Sequence, residues 1–328
     1  MNLSDNTVID VRAAESDEQV AALALLFSSQ PAVVQQHLIV GILEQARNDP
    51  QSLAGLTGAW RQGILVGAGW LQVMPGRTAI VWPPELLAGE SSETAELIME
   101  RLDQLAGQRG IRLAQAVIHV NDEITSTRFH RAGYEKIADL LYMSCEQADL
   151  SRDPPVSSLG FQPYQTDQQP RLERLIERTY AQTLDCPRLN GIRRMSDVVG
   201  GYLATGEFAA NRWFFVVHDS DDVGCLLLTD HPRDDQWELI YMALVPEARG
   251  HGWGQVIAEF AQWQAYCAGR ARLVLAVDAR NTPATNMYTS VGFNTIDQRC
   301  ILLKVFDASE TMDERVFHQS TFRGNKKI

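Results

Sequence analysis

A glycine-rich segment in the C-terminal half is the part of the sequence best suited to binding a ligand. Residues 249–254 read RGHGWG, with three glycines at alternate positions behind an arginine. Because glycine has no Cβ, its backbone N–H groups can approach a ligand closely. At a helix start, unpaired N–H groups and a partial positive charge also favour an anion such as pyrophosphate. The segment predicts a phosphate-binding loop, with Arg249 adding a permanent charge.

The flanking residues place this loop between a strand and a helix. Residues 239–245, LIYMALV, form a nearly unbroken apolar run that predicts a buried strand. After the loop, Val256, Phe260, Trp263 and Cys267 are spaced four, three and four residues apart, which predicts one face of a helix. The glycines therefore fall at a strand-to-helix junction.

Three alternatives to this interpretation have to be weighed. A turn that binds nothing remains open, although glycine is costly at a helix start. A dinucleotide-binding loop requires G-x-G-x-x-G after the first strand of its unit and an acidic residue about 20 positions later. The spacing here is G-x-G-x-G, and several strands precede it. A nucleotide P-loop needs Gly-Lys-Ser/Thr, which is absent.

The hydrophobic pattern predicts the same order of elements twice, on either side of a polar stretch with a Pro-Pro pair at 146–158. The first copy has strands at Val8–Ala13, Leu56–Arg61, Gly63–Val73, Thr78–Trp82 and Arg112–His119, helices at Asp17–Phe27, Ala32–Arg47 and Glu93–Gln108, then a short helix and a strand ending near Cys145. The second has strands at Leu159–Tyr164, Trp213–His218, Val223–Thr229, Trp237–Leu244 and Arg272–Val277, helices at Gln168–Ala181, Ser196–Thr205 and Trp253–Ala268, then a short helix and a strand ending at Phe306.

The ends of the two copies also match. Asn121 precedes Gly133 by 12 residues, and Asn281 precedes Gly292 by 11. Each glycine lies in an aromatic-x-x-small-Gly-aromatic pattern, at 129–134 and 288–293. We therefore predict a duplicated domain, divided into 1–145, a linker at 146–158, a second domain at 159–306 and a polar tail at 307–328.

The second copy resembles the GCN5-related N-acetyltransferase (GNAT) superfamily. Arg249-x-x-Gly252-x-Gly254 is similar to its Q/R-x-x-G-x-G/A signature, and residues 238–244, ELIYMAL, resemble its fourth strand. The segment from Asn281 through Tyr288 to Gly292-Phe293 resembles its closing part. The resemblance covers 159–306 closely, but 8–145 only in element order and the final Gly-Tyr.

The resemblance implies an α/β (α+β) protein of two tandem GNAT folds, each a mixed, mostly antiparallel sheet flanked by helices. Acetyl-CoA would insert between the fourth and fifth strands, where a freed backbone N–H in 242–244 would stabilise the oxyanion. The implied cofactor-binding residues are Met242, Ala243, Leu244, Arg249, Gly250, His251, Gly252, Trp253, Gly254, Gln255 and Asn281. No metal is expected.

Two residues match the family's catalytic positions. Glu238 would be the general base, often acting through water, and burial beside Trp237 would raise its pKa. The alternative for Glu238 is a solvated strand residue or a structural partner. Tyr288 would be the general acid for the CoA sulfur, since a phenol is protonated at pH 7. The alternative for Tyr288 is packing of a helix on the sheet.

Other residues admit a substrate role. Asp278, at the end of a strand, suits an amine, although a salt bridge or turn is the simpler interpretation. Residues 185–194, DCPRLNGIRR, fall where the family has a variable substrate loop. Their arginines would suit an anionic group, or the loop is merely solvated.

The first copy departs from the pattern. In place of the glycine loop it has residues 87–93, LAGESSE, with one glycine and two acids that would repel pyrophosphate. No glutamate on 78–82 matches Glu238. We predict that this half does not bind CoA productively and serves as a structural partner.

Composition narrows the function. The 328 residues carry a net charge of −12, which disfavours nucleic acid and anionic membranes as partners. Five cysteines without a CxxC pair predict neither disulfides nor a zinc site, and no signal peptide or membrane span is evident. We expect a cytoplasmic monomer or homodimer that acetylates a primary amine of a small molecule or peptide, using the C-terminal half. The alternatives are a non-catalytic acyl-CoA sensor or scaffold, and an acyltransferase that uses longer acyl groups.

Overall fold

A computed structural model describes residues 8–189 and 191–306. The predicted tail at 307–328 lies outside the described residues. The chain divides into two compact units. The N-terminal unit includes residues up to 73, 77–115 and those from 304 onward, and the C-terminal unit includes 74–76 and 116–303.

The N-terminal unit is built on strands in the order β1-β2-β3-β4-β5. β1 pairs antiparallel with β2, and β2 with β3, whereas β4 and β5 run parallel. Its elements are β1 Asp10–Ala13, α1 Gln19–Leu26, α2 Ala32–Asn48, β2 Leu56–Arg61, β3 Ile64–Met74, β4 Thr78–Leu86, α3 Ser92–Gln108 and β5 Leu113–His119. The last residue of β3 and residues 116–119 of β5 fall within the bounds of the C-terminal unit. Its core is centred on Trp60 and Trp70, which are covered by Leu23 and Leu26 of α1.

The C-terminal unit is built on strands in the order β12-β6-β11-β10-β9-β8-β7. Every neighbouring pair is antiparallel except β10 and β11. Its elements are α4 Glu123–Arg131, β6 Glu135–Glu146, β7 Gly160–Pro163, α5 Gln169–Thr179, α6 Met195–Leu203, β8 Trp213–His218, β9 Asp221–His231, β10 Gln236–Leu244, α7 Trp253–Cys267, β11 Arg272–Asp278, α8 Thr282–Ser290 and β12 Asn294–Val305. The predicted fold class, mixed and mostly antiparallel sheets flanked by helices, is confirmed.

The sheet of the C-terminal unit contains a strand from the first copy of the repeat. β6 lies between β11 and β12, with Met143 opposite Leu275 and Ala138 opposite Ile301. Met143 is 1% exposed and lies in the same core as α7 and α8. The bounds of the compact units therefore differ from the predicted domain boundaries at 145 and 159. Those boundaries were drawn from the sequence repeat, and they stay a prediction.

The stretch 146–158, predicted as a linker, is packed against the C-terminal unit over part of its length. Leu150 is buried in the core that contains α7, and Ser151 Oγ donates a hydrogen bond of 2.9 Å to Gln262 Oε1. Gln262 Nε2 in turn donates to the carbonyl of Val291. A polar sequence with two prolines is therefore not necessarily a flexible linker, because even one apolar residue such as Leu150 can be buried in a neighbouring core.

Helix α7 buries a different face from the one predicted. Its buried residues are Ile257, Ala258, Phe260, Ala261, Gln262 and Ala265. Val256 and Trp263 are only partly buried, and Cys267 is exposed. The alanines let the helix lie close to the sheet, whereas hydrophobic spacing gives most weight to large side chains. No helix among the described residues is long and apolar enough to cross a membrane.

The position of β6 makes a stability prediction. Met143→Ala should lower the free energy of unfolding of the C-terminal unit by about 2–5 kcal/mol, because it leaves a cavity in that unit's core. Ile296→Ala, at a β12 side chain that is 60% exposed, should change it by less than about 0.5 kcal/mol. Urea denaturation followed by tryptophan fluorescence measures both. Equal small effects would mean that β6 does not support this core.

Candidate active site

The parallel strands β10 and β11 are paired over only the first half of β10 and then diverge. Their pairing runs from Gln236 opposite Arg272 to Leu239 opposite Leu275 and then stops. At that point the register of β10 with β9 shifts between Leu239 and Tyr241, which is a β-bulge. A bulge bends its strand and increases the local twist. β10 then follows β9 as far as Leu244 and leaves a gap on its other side.

The gap exposes backbone hydrogen-bonding groups of β10. Val245 N donates to Val223 O at 3.0 Å, so that residue faces β9. Residues along an antiparallel ladder alternate in facing the partner strand. In the unbroken register from Tyr241 to Val245, the amides of Met242 and Leu244 therefore point into the gap. Such amides are ready donors for a ligand or an oxyanion.

A cavity of about 720 Å³ occupies this gap. Its walls come from the end of α5 and the loop after it, from β10, from the start of α7, from the end of β11 and from α8. Ten of the predicted site residues line it: Met242, Ala243, Leu244, Arg249, Gly250, Gly252, Gly254, Gln255, Asn281 and Tyr288.

Two of the three glycines in the 249–254 loop are required by their backbone conformation. Gly250 has φ 81° and Gly252 has φ 75°, in the left-handed region that disfavours side chains. Gly252 is the N-cap of α7 and offers no side-chain cap, so N–H groups of the first turn stay available. A Cβ on Gly250 or Gly252 would meet no atom within 4 Å, which agrees with an open space beside them.

Arg249 has a structural task as well as a charge. Its Nε donates to Leu244 O at 3.1 Å, Nη1 to Gln182 O at 3.0 Å and Nη2 to Thr179 O at 2.8 Å. The side chain thus ties the end of β10 to the end of α5. Because the Arg249 guanidinium donates to three backbone carbonyls, it fixes the segments on either side of the entrance to the gap.

His251 and Trp253, which were predicted to bind cofactor, do not line the cavity. Their rings stack on each other at 4.9 Å, and Trp253 also packs on His218 at 4.6 Å. Their side chains pack on each other and on His218, outside the cavity. If these two residues contact a ligand, they would do so through their backbone N–H groups.

Asn281 caps helix α8. Its Oδ1 accepts a hydrogen bond from Ala284 N at 3.3 Å. In the first copy the equivalent N-cap is Asp122, whose carboxylate accepts from Thr125 N, and not Asn121. Each cap precedes a glycine of positive φ, Gly133 or Gly292, by eleven residues. The repeat is therefore more regular than the asparagine spacing indicated.

Tyr288 presents a hydroxyl to the cavity from an otherwise buried side chain. It is 5% exposed and packs edge-on against Phe293 at 5.5 Å. Within the described part of the chain its hydroxyl has no hydrogen-bond partner. Burial, reinforced by the charge of Asp185, raises the pKa of Tyr288, so the phenol is protonated at neutral pH. Phe129 takes the same place in the first copy, seven residues after its N-cap, and lacks the hydroxyl.

Glu238, the predicted base, is engaged elsewhere. Its carboxylate lies 2.8 Å from His231 Nε2, and its side chain is 31% exposed. That hydrogen bond raises the pKa of His231. Glu238 is not among the residues that line the cavity. The structure therefore brings Tyr288 together with the cofactor loop, but it does not bring Glu238 to the same wall.

The wall formed by residues 179–185 was only partly anticipated. Asp185 Oδ1 accepts from Asp278 N at 2.8 Å, while Asp278 Oδ2 accepts from Cys186 N at 3.3 Å. Gln182 and Cys186 have φ of 54° and 44°, which is uncommon for residues other than glycine. No residue pattern marks such a loop in advance, because its conformation is fixed by contacts with β11.

Helix α3 of the N-terminal unit corresponds to α7, and the carboxylate of Glu90 lies just before its first residue. Glu90 Oε1 lies 2.7 Å from Arg61 Nη2 and accepts a hydrogen bond of 2.6 Å from Thr94 Oγ1. The Arg61 interaction and the Thr94 hydroxyl hold the pKa of Glu90 below its usual range. The loop has one glycine of positive φ, Gly89, and Ser91 caps α3.

Comparison with known proteins agrees with this arrangement of the C-terminal unit. The model of the acetyltransferase (GNAT) family matches residues 182–293, which include the diverging strand, the glycine loop and Tyr288. This region is a GNAT domain. The chain is accordingly an acyltransferase-type enzyme, as the resemblance predicted. No curated protein sequence matches the chain.

Solved structures share the fold over nearly the whole chain. A GCN5-related N-acetyltransferase from Sphaerobacter thermophilus aligns with a TM-score of 0.63 and 12% identity, covering 93% of this chain and 98% of its own. A tandem GNAT protein from the clavulanic acid biosynthesis pathway aligns at 0.54 and 14%, covering 91% and 98%. A putative acetyltransferase from Pyrococcus horikoshii aligns at 0.53 and 10%, covering 95% and 93%. At these identities the likeness concerns the fold alone, and it covers both halves of the chain.

Two glycines of the 249–254 loop, Gly252 and Gly254, should differ in their tolerance of alanine. Gly252→Ala should destabilise the protein by about 1–2 kcal/mol, since it forces a side chain into the left-handed region. Gly254→Ala should be neutral or stabilising by up to about 1 kcal/mol, because its Cβ would meet only Met287 Cε, at 3.9 Å, inside a helix. Urea unfolding of both variants measures the difference. Equal effects would show that the φ of Gly252 is not a constraint.

Proposed function

We propose that the C-terminal unit transfers the acetyl group of acetyl-CoA directly to a primary amine. The observation that carries this proposal is the gap between β10 and β11. It joins free strand amides, an uncapped helix start and the Tyr288 hydroxyl in one cavity. These are the groups that a thioester carbonyl, a pyrophosphate and a departing thiolate each require.

The residues that line the cavity suit the pyrophosphate, the pantetheine arm and the acetyl group of acetyl-CoA. The pyrophosphate would lie against the N–H groups of 250–255, where open space beside Gly250 and Gly252 leaves room for it. The pantetheine arm would run beside β10 and bond the amides and carbonyls that β11 leaves unpaired. The acetyl oxygen would accept from Met242 N or Leu244 N, which face the gap. Asn281 lines the cavity at the start of α8.

Tyr288 is the proposed general acid. A thiolate that leaves a thioester needs a proton, and the phenol of Tyr288 holds one at neutral pH because its pKa is raised. Its position on α8 is fixed by packing against Phe293, so the hydroxyl is aimed by the fold. The proposal does not depend on Glu238, whose carboxylate is paired with His231.

The N-terminal unit is proposed to have no catalytic role of its own. Glu90, paired with Arg61, places a negative charge at the helix start where a phosphate would bind. At the position equivalent to Tyr288 the first copy has Phe129, whose ring carries no hydroxyl proton to donate.

Acetyl-CoA binding should depend on the charge at position 252. Gly252→Asp should abolish binding of acetyl-CoA in isothermal titration calorimetry, because a carboxylate would repel the pyrophosphate. Gly252→Asn is the matched control, since both residues tolerate the left-handed conformation comparably and Asn carries no charge. It should retain more affinity than Gly252→Asp. Unchanged affinity in Gly252→Asp would contradict the proposed cofactor site.

Turnover should depend on the Tyr288 hydroxyl. Tyr288→Phe should lower kcat for amine-dependent thiol release by about 10²–10⁴-fold while the acetyl-CoA KM stays within a few fold, because the ring packing remains. The control Tyr266→Phe alters an exposed ring on α7 and should have no effect. An unchanged kcat in Tyr288→Phe would make Tyr288 a packing residue. Binding of acetyl-CoA without thiol release for any amine would favour the sensor or scaffold.

A further inference from the structure

The cavity has a strongly uneven distribution of charge. Among the described residues that line it, only Asp185 and Arg249 carry a formal charge. The guanidinium of Arg249 is already used by the backbone carbonyls of Leu244, Gln182 and Thr179. Asp185 is thus the one carboxylate that faces the cavity in the described part of the chain.

Asp185 is held in place by main-chain bonds. Its Oδ1 accepts from Asp278 N at 2.8 Å, at the point where β11 ends. Asp278 is buried, and its two carboxylate oxygens accept from Cys186 N at 3.3 Å and from Arg280 N at 2.9 Å. The second oxygen of Asp185 has no hydrogen bond within the described residues. One oxygen therefore anchors the side chain, and the other is available.

The surroundings of Asp185 suit a cation. Tyr180 and Tyr241 line the cavity beside it, with ring centroids 6.4 Å apart. Tyrosine faces attract alkylammonium groups, and a carboxylate pairs with them directly. The Tyr288 hydroxyl, which has no hydrogen-bond partner within the described residues, faces the same cavity, and the charge of Asp185 acts on it.

The arginines of 185–194, which suggested an anionic substrate, do not line the cavity. Arg188 bonds the carboxylate of Glu135 and the carbonyl of Lys136. Arg193 Nη2 donates to Asp197 O at 2.7 Å, and Arg194 is the exposed N-cap of α6. The charge that this loop offers to a substrate is therefore negative.

We propose, resting on the proposed acetyl transfer, that Asp185 binds the acceptor as an alkylammonium ion and removes its proton, so that the acceptor is a cationic amine. Asp278 is the positioning residue that fixes Asp185. This places the base on the loop after α5 and not at Glu238 on β10.

The protons balance as follows. Asp185 takes one proton from the ammonium, and the neutral nitrogen forms a bond to the thioester carbonyl carbon. As the C–S bond breaks, Tyr288 gives its proton to the sulfur. The second proton of the attacking nitrogen restores the Tyr288 hydroxyl. Asp185 then releases its proton to water, so the products are an amide, CoA thiol and one proton.

Titration should report the same carboxylate. The titratable groups that interact electrostatically with Asp185 are Asp278, Cys186, Tyr180, Tyr241 and Tyr288. Asp185 is exposed to solvent at the cavity. Partial desolvation by the groups around it, with Asp278 as a further negative neighbour, raises the pKa of Asp185. Cys186 and the tyrosines have raised pKa values as well and stay neutral near pH 7. As pH falls through the raised pKa of Asp185, protonation removes the charge and the base together, and kcat/KM for the amine falls.

The test measures thiol release from acetyl-CoA by the full-length protein. The probes are 1,4-diaminobutane, tyramine and benzylamine as cations, with glutamate and phosphoserine as amines that carry anionic groups. At least one cation should be preferred over both anionic probes. Asp185→Asn should lower its kcat/KM by about 10²-fold or more and remove the acid limb of the pH profile. Acetyl-CoA affinity in calorimetry should change less than twofold.

Three further variants separate the explanations. Glu177→Gln, at an exposed carboxylate on α5, is the matched charge control and should behave as wild type. Asp278→Asn should cause a smaller loss and keep the acid limb, as expected of a positioning residue. If Glu238→Gln removes the acid limb and Asp185→Asn keeps it, the base is Glu238 and the proposal is overturned.

Two other results would overturn it as well. One is a preference for glutamate or phosphoserine as acceptor. The other is no thiol release with any cationic probe in protein that binds acetyl-CoA. Failure to bind acetyl-CoA at all would instead remove the proposed function, so the two failures are distinguishable.

Discussion

The separation of β10 from β11 after Leu239 is the constraint on which the site depends. In a continuous parallel pair, the amides of Met242 and Leu244 would bond the neighbouring strand. The bulge at Ile240 turns β10 away, so those amides face a cavity. Unpaired backbone groups of this kind are costly unless a ligand or water satisfies them. A ligand with carbonyl and amide groups would gain the bonds that the sheet gives up, and this gain is what favours the proposed binding in the gap.

A gap of this size survives because its edges are tied to the backbone. Arg249 joins the end of β10 to the carbonyls at the end of α5, and Asp278 and Asp185 join the following loop to the end of β11. Asn281 caps α8 directly beyond β11. Bonds to main-chain atoms hold positions more firmly than pairs of long side chains, which keep more freedom. The polar residues around the cavity are therefore as much architectural as chemical.

The two copies of the repeat share their secondary structure but differ in the side chains that could bind a phosphate or donate a proton. Both end in a capped helix, a glycine of positive φ and an edge-on aromatic pair, formed by Phe129 with Tyr134 and by Tyr288 with Phe293. The first copy has an internal anion in Glu90 at its helix start, and it lacks a hydroxyl at Phe129. It also contributes β6 to the core of the C-terminal unit. These differences support the proposal that the first copy has a structural task, which does not require a glycine loop.

The sequence by itself determined the element order, the mixed sheet class, the glycine loop and the position of Tyr288. These features are local, because periodicity, capping and glycine content act over a few residues. The sequence did not reveal that β6 enters the C-terminal sheet or that α7 buries its alanines. It also did not reveal that the carboxylate of Glu238, the predicted base, pairs with His231, or that Asp185 lines the cavity. Only tertiary structure decided these points, because strand pairing, the neighbours of a carboxylate and the walls of a cavity are set by residues distant in sequence, such as Asp185 and Asp278.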